Sequence, residues 1–203
     1  MKAVYVTDRA AIGDARFDGI LAALAGAPGL SVVLREPPGD DRALLDRARR
    51  TRERLGDSVP LYVHRRYDIA LAAGAAGVHL PSNGLPVARV RGETPRGFQI
   101  GVSTHAVAEV EEALEDGADL VFLGPIFDTP SKRAYGPPLG VATLAALPLL
   151  DRRTGRVYAI GGVEEARFPE LAPYADRLAG IAAIRLFQES PDPRGAAGRI
   201  AAR

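Results

Sequence analysis

The chain has 203 residues, of which 47% are hydrophobic and 25% are charged, and its formal net charge is +1. This length and composition are typical of a single globular domain, and the balanced charge excludes a strong overall attraction to nucleic acid or to a membrane surface. The absence of cysteine excludes disulfides, thiolate metal sites and a cysteine nucleophile. Because MKAVYVTDRA lacks a secretory signal pattern and no apolar run approaches about 20 residues, we expect a cytoplasmic protein.

Eight short apolar runs rich in β-branched residues recur along the chain. They are too short for isolated helices and do not alternate strictly, as expected of strands that are buried on both faces. Segments with helical spacing of apolar residues lie between them. This pattern predicts an α/β fold over residues 1–203, a single-domain (βα)8 TIM barrel, while an open doubly wound sheet stays the alternative. The predicted strands are residues 3–7, 30–35, 60–64, 76–80, 99–103, 119–124, 156–161 and 180–184.

All three histidines of the chain follow predicted strands. His64, His79 and His105 end the third, fourth and fifth apolar runs. A parallel barrel gathers these strand ends on one face, where active sites of such barrels are found. Imidazole, with an ordinary pKa of about 6.5, suits acid and base catalysis at neutral pH. Each histidine also has a structural alternative. His79 would be a packed barrel residue and His105 a helix cap, whereas for His64 the catalytic and structural roles are evenly balanced.

The loops after the sixth and seventh predicted strands indicate a phosphate site. The first, residues 124–138, is rich in Gly and Pro and long for a connection on this face, so we predict a lid. It contains Lys132, one of two lysines in the chain, which suits a phosphate oxygen or is simply solvated. The second loop places Gly161 and Gly162 before a predicted helix near Glu164. Backbone N–H groups there would bind an anion, unless the glycines only form a tight turn.

Six segments in register with the predicted strands form a recognisable combination: AVYVTDR, VVLRE, GVHL, IGVSTH, GPIFDTPSK and AIGGV. In this order they resemble the thiamine phosphate synthase and TenI family over nearly the whole chain. The resemblance implies a small (βα)8 barrel that binds a thiazole phosphate in thiamine biosynthesis. In the family, the synthase joins this ligand to a pyrimidine pyrophosphate with magnesium, whereas TenI isomerises a thiazole phosphate carboxylate.

By this resemblance, the thiazole phosphate half of the family's site carries over well. The residues that match it are Ser103, Thr104, Thr129, Ser131, Lys132, Gly161 and Gly162. After strand eight the family usually has a serine, and this sequence has Arg185. An arginine at this position either clamps the phosphate with two hydrogen bonds or blocks the pocket.

The pyrimidine pyrophosphate half carries over poorly. On strand two, Arg35 is the only matching cationic contact, because the family's glutamine and lysine are replaced by apolar residues. The family's asparagine and aspartate after strand three are His64 and Arg65 here, and its aspartate after strand four is Gly84. Magnesium needs hard oxygen ligands, which glycine and arginine side chains do not supply. Arg65 either binds an anionic substituent of the ligand, such as a carboxylate, or is solvated.

These residues favour a TenI-like enzyme, a thiazole phosphate carboxylate tautomerase or a related metal-independent isomerase. Because Pro125 stands where TenI has a histidine, we expect His64 to move the proton, with Lys132 as the second catalytic residue. We expect no cofactor, and Mg²⁺ only in a synthase. The alternatives are thiamine phosphate synthase itself and a non-catalytic phosphate-ligand binding or regulatory protein. The expected partner is a small phosphorylated heterocycle, not nucleic acid or a membrane, and a homo-oligomer stays open.

Overall fold

The structure is a computed structural model that describes residues 1–129, 136–149 and 156–202. Within these residues the strands are β1 Lys2–Val6, β2 Leu30–Leu34, β3 Leu61–His64, β4 Gly77–Leu80, β5 Gln99–Thr104, β6 Leu120–Leu123, β7 Val157–Ala159 and β8 Gly180–Ala183. All eight are parallel and follow one another around a closed barrel. β1 pairs with β2 on one side and with β8 on the other, so the barrel interpretation is confirmed and the open doubly wound sheet is wrong.

Helices connect the strands on the outside of the barrel. In the described part of the chain they are α1 Arg9–Leu24, α2 Asp41–Leu55, α3 Tyr67–Ala72, α4 Val87–Glu93, α5 Val107–Glu115, α6 Phe168–Leu171, α7 Arg185–Gln188 and α8 Pro193–Ala201. The connection after β7 is broken into a 3-10 turn at Glu165–Arg167, the short α6 and a second 3-10 turn at Ala172–Tyr174. Pro169 and Pro173 lack the amide hydrogen that a continuous helix would use, which explains the short pieces.

Two apolar layers stabilise this architecture. The larger layer lies between the strands and the surrounding helices, where Phe17, Ile20, Leu21 and Leu24 of α1 are all buried. The second layer fills the barrel interior. Because both faces of every strand are covered, the strands show continuous rather than alternating hydrophobicity. The interior residues are Val4, Val6, Val33, Tyr62, Leu120, Phe122, Tyr158 and Ala182.

No helix within residues 1–129, 136–149 and 156–202 combines the length and the apolar composition needed to cross a lipid bilayer.

The seam between β8 and β1 leaves no room for a side chain at Gly180, where a Cβ atom would lie 1.9 Å from the Lys2 carbonyl oxygen. We expect Gly180→Ala to lower the free energy of unfolding by about 1–3 kcal/mol, the usual cost of overpacking. The matched control is Gly19→Ala in α1, where a Cβ meets no atom within 4 Å. Alanine there should raise the free energy of unfolding by about 0.5–1 kcal/mol through its helix propensity. Urea denaturation followed by circular dichroism measures both, and a Gly180→Ala chain as stable as the wild type would contradict a tight seam.

Candidate active site

The carboxyl ends of β3 and β4 place two histidine side chains side by side. His64 and His79 are register partners in this strand pair. Their rings stack with centroids 6.3 Å apart and an interplanar angle of 20°. Both predicted strand-end histidines therefore lie at one mouth of the barrel, because equivalent positions on neighbouring parallel strands point to the same side of the sheet.

His79 occupies the inner position of this pair and is only 3% exposed. Its Nε2 atom lies 3.0 Å from the Ser103 hydroxyl, and its ring centroid lies 4.1 Å from that of Phe122. Gly101 on β5 creates the space for the ring, since a Cβ there would lie 2.5 Å from His79 Nδ1. Sequence reasoning missed Gly101, although an isolated glycine inside a strand is a known signal of close approach. Burial, followed by the charge of His64, lowers the pKa of His79 from 6.5 to about 3.

His64 lies above His79 and closer to solvent. Burial is the main cause that lowers the pKa of His64 from 6.5 to about 4, and the positive charges of Arg65 and Arg35 lower it further. The ring is therefore neutral near pH 7. A neutral imidazole accepts a proton on one nitrogen and donates from the other, which is the state that a proton-transfer residue needs at the start of a reaction.

The two cations that flank His64 are held differently. The Arg35 guanidinium donates to Asp8 Oδ2 at 2.5 Å and to the Thr7 carbonyl oxygen at 3.2 Å, so its position is fixed by β1 and the loop that follows. Arg65 has a φ of 70°, a left-handed conformation that is uncommon for a residue with a side chain. Within the described residues, its guanidinium finds a hydrogen-bond partner in Asn83 Oδ1, at 3.5 Å. Backbone strain of this kind clusters at functional sites.

The remaining predicted residues on β5 differ in their surroundings. Ser103 is partly exposed at the mouth and shares its hydroxyl with His79. Thr104 is buried, and its hydroxyl donates to the Phe122 carbonyl oxygen at 3.2 Å. The Thr104 side chain is therefore engaged between β5 and β6. A ligand contact from Ser103 or Thr104 stays a prediction.

The glycine pair after β7 is packed against the loop after β6. Gly161 and Gly162 have φ angles of 92° and 65°. A Cβ on Gly161 would lie 2.5 Å from Pro125 Cβ, and a Cβ on Gly162 would lie 2.5 Å from the Asp128 carbonyl oxygen. The backbone of this loop therefore needs glycine at both positions for its geometry. Phosphate binding by its N–H groups is compatible with that requirement and stays a prediction.

The other predicted phosphate contacts lie around this loop or outside the described residues. Arg185 begins α7, is exposed, and forms no ion pair within the described part of the chain. It lines a cleft of about 420 Å³ that also contains the carboxylates of Glu164 and Glu189, which oppose an anion there. Thr129 lies at the end of a described segment. The predicted contacts Ser131 and Lys132, and with them residues 130–135 of the predicted lid, fall outside the described residues.

His105 follows β5 and is exposed at the same mouth. Its Nδ1 atom lies 2.5 Å from the Gly124 carbonyl oxygen, and its Nε2 atom lies 3.2 Å from the Ser82 hydroxyl. Its backbone N–H donates to the Glu109 carboxylate at 2.7 Å, and α5 begins two residues later. The ring therefore bridges the loop after β4 and the end of β6. The contact of His105 with α5 is made by its backbone N–H, so the ring itself does not cap the helix.

The described residues of the mouth provide no carboxylate at the two positions where the family resemblance places magnesium ligands. Arg65 and Gly84 occupy the two positions where the family resemblance places aspartates. The nearby acids are already paired, Asp8 with Arg35 and Glu36 with Arg9. No group of three or more His, Cys, Asp or Glu side chains suited to a metal ion occurs within residues 1–129, 136–149 and 156–202. The described donor set therefore does not fit Mg²⁺.

The two lowered histidine pKa values give folding a defined pH dependence. Below about pH 6.5 the unfolded chain protonates these imidazoles, whereas the folded chain keeps them neutral until about pH 4, so stability is lost as pH falls through this window. Each histidine should remove about 1.4 kcal/mol of unfolding free energy per pH unit. His64→Gln should reduce the slope by about half, since one of the two groups no longer titrates. Urea denaturation at about pH 7 and about pH 5 measures this, and an unchanged slope in the variant would show that His64 is not desolvated.

Comparison with known proteins assigns the chain to a family. The family model described as thiamine monophosphate synthase matches residues 3–187. A putative thiamine-phosphate synthase from Geobacter sulfurreducens is 42% identical over 192 residues, which cover 93% of this chain and 87% of that protein. A thiamine-phosphate synthase from Methanoculleus marisnigri is 40% identical over 190 residues, covering 89% of this chain and 86% of the relative.

A solved structure shows the same fold. Thiamine phosphate pyrophosphorylase from Pyrococcus furiosus superposes with a TM-score of 0.77 at 23% identity, covering 99% of this chain and 94% of that one. The barrel, its strand order and its motifs thus agree with the sequence comparison. The chain belongs to the thiamine monophosphate synthase family.

Proposed function

We propose that this family member binds a thiazole phosphate at the barrel mouth and isomerises it by proton transfer without a metal ion. The observation that supports this proposal is the replacement at the mouth: Arg65 and Gly84 stand where carboxylates would hold Mg²⁺, and a neutral His64 lies beside Arg65. Departure of pyrophosphate needs cationic stabilisation of the leaving oxygens, usually by a divalent ion. Isomerisation by proton transfer has no such leaving group.

In the proposed reaction His64 moves the proton. Without ligand, burial and the charges of Arg65 and Arg35 keep its pKa near 4, so the ring is a weak base. An anionic substituent bound between these arginines would offset their charge and raise the pKa of His64 toward neutrality. A carboxylate on the thiazole ring is an anion of this kind. The ligand would thereby strengthen the base that acts on it.

The phosphate of the same ligand would occupy the opposite side of the mouth. The backbone of Gly161 and Gly162 turns there with left-handed φ angles, a conformation that presents N–H groups to anions. Ser103 offers a hydroxyl between this loop and His79. We place Lys132 on the phosphate as well, as the cation of the predicted lid and the second catalytic residue.

The second candidate function is thiamine phosphate synthesis. The names of two relatives at 42% and 40% identity favour it over isomerisation. A synthase built on this mouth would have to stabilise pyrophosphate with Arg35 and Arg65 in place of carboxylate-bound magnesium, because the nearby acids Asp8 and Glu36 are engaged in ion pairs. The two reactions therefore predict different dependence on the metal and on the second substrate.

The test is a pair of assays on the purified chain. We expect conversion of a thiazole phosphate carboxylate to its tautomer, followed by ¹H NMR, to continue in excess EDTA. We expect no thiamine phosphate from a thiazole phosphate and the pyrimidine pyrophosphate. His64→Gln should lower kcat by about 100-fold or more, the usual contribution of a general acid or base, because glutamine keeps a polar group but cannot take up the proton. The matched control is Arg66→Lys, since Arg66 pairs with Asp68 and Asp41 at the surface and should leave kcat unchanged.

Each other outcome identifies an alternative. Magnesium-dependent formation of thiamine phosphate would contradict the isomerase proposal and establish the synthase. Binding of thiazole phosphate in calorimetry without turnover in either assay would identify a non-catalytic binding or regulatory protein. If His64→Gln isomerises the ligand as fast as the wild type, the chain is an isomerase but His64 is not its proton-transfer residue.

A further inference from the structure

We propose that His105 is a second proton-transfer residue of this mouth and that it acts through its Nε2 atom. The inference rests on the proposed isomerase function, which it deepens by assigning a further catalytic group. One geometric observation supports it. The His105 ring contacts Gly124 through Nδ1 and Ser82 through Nε2, and these two partners determine which ring nitrogen is basic.

The tautomer follows from the chemistry of the two partners. The Gly124 carbonyl oxygen can only accept a hydrogen bond, so the Nδ1 atom 2.5 Å away carries the ring hydrogen. In a neutral imidazole the other nitrogen then has a free lone pair. Nε2 accepts from the Ser82 hydroxyl at 3.2 Å, a partner that can rotate away when a ligand arrives. A base held through its other nitrogen is the arrangement found in catalytic histidines.

The position of the ring connects it to the predicted phosphate loop. Gly124, which holds Nδ1, packs against the chain just before the glycine pair: a Cβ on Gly124 would lie 2.2 Å from the Ile160 carbonyl oxygen. The next residue, Pro125, is in contact with Gly161. A thiazole phosphate anchored on this loop would therefore lie near His105, which follows β5 and is two strands along the barrel from His64 on β3.

The other two histidines are less suited to this role. His79 is 3% exposed, its Nε2 is engaged by Ser103, and burial holds its pKa near 3. His64 is accessible but has to be strengthened by a bound anion before it becomes an effective base. His105 is exposed at the mouth and is orientated before any ligand binds. His64 ends β3 and His105 follows β5, so the two rings would approach the ligand from different positions around the mouth.

The proposed step conserves all atoms and electrons. The Nε2 lone pair of His105 takes a proton from one position of the ligand, and the electron pair of that bond shifts into the ligand's π system. His64, protonated from solvent once the bound anion has raised its pKa, delivers a proton to the second position as the π electrons form the new bond there. His105 then returns its proton to solvent, so both rings regain their starting states. One proton is removed and one is added, so no oxidant, reductant or co-reactant is required.

The first experiment tests the tautomer and does not depend on turnover. In long-range ¹H–¹⁵N NMR spectra of the histidine rings, the neutral form of His105 should carry its hydrogen on Nδ1 and none on Nε2. Ser82→Ala should change the ¹⁵N shift of Nε2 and leave Nδ1 almost unaffected, because only Nε2 loses its partner. A His105 ring protonated on Nε2 would overturn the inference whatever the enzyme catalyses.

The second experiment tests catalysis with a variant that keeps the structural bond. In His105→Asn the amide can still donate to the Gly124 carbonyl oxygen, but no atom replaces Nε2. We expect kcat for isomerisation to fall by about 100-fold or more and the dissociation constant of thiazole phosphate to change by less than about 3-fold. The matched control is Glu109→Gln, which alters the acceptor of the His105 backbone N–H without touching the ring, and it should retain kcat.

The outcomes separate this inference from the proposed function. A wild-type chain that isomerises, together with a fully active His105→Asn variant, would overturn the role of His105 and leave the isomerase intact. An equal loss in Glu109→Gln and His105→Asn would show that only the loop conformation matters and would also overturn it. A wild-type chain that binds thiazole phosphate and moves no proton would contradict the isomerase and the His105 inference together.

Discussion

The imidazole of His79, seated in the space that Gly101 leaves open, supports the rest of the barrel mouth. Its ring packs on Phe122, its Nε2 atom engages Ser103, and its outer face carries the ring of His64. Desolvating a protonated imidazole at this depth would cost too much free energy, so the ring is neutral. It forms the polar bottom of the barrel mouth. Ser103 and His64 above it are therefore orientated by their contacts with this ring.

The charged side chains near His79 and His64 are arginines, Arg35 and Arg65, whereas a magnesium site would need carboxylates. Arg35 is fixed by Asp8, and Arg65 has a left-handed backbone, with its guanidinium 3.5 Å from Asn83 Oδ1 among the described residues. The described mouth therefore carries two arginine side chains whose charges act on His64. These charges lower the pKa of His64 in the free protein, and in the proposed reaction a bound anion would offset them.

Family membership and reaction are separate questions for this barrel. The family is shown by the match over residues 3–187 and by relatives at 40% identity and above, and those matches follow the strands and their motifs. The reaction depends on a few side chains at the strand ends, which can change while the barrel stays the same. In this chain Arg65, Gly84 and His64 are among the residues that differ from the family pattern, and they carry the proposal for a metal-independent function.

Hydrophobic periodicity and local motifs were enough to predict the eight strands and the family, and they favoured a barrel, whose closure is seen in the pairing of β1 with β8. The sequence also placed all three histidines at one mouth, since parallel strands share a direction. Only the tertiary structure decided that His79 is enclosed by Gly101, that the Thr104 hydroxyl is bound to Phe122, and that His105 is held by Gly124. These contacts join residues 18 to 24 positions apart on neighbouring strands. Their geometry depends on strand register and barrel closure, and no local pattern in the sequence encodes either one.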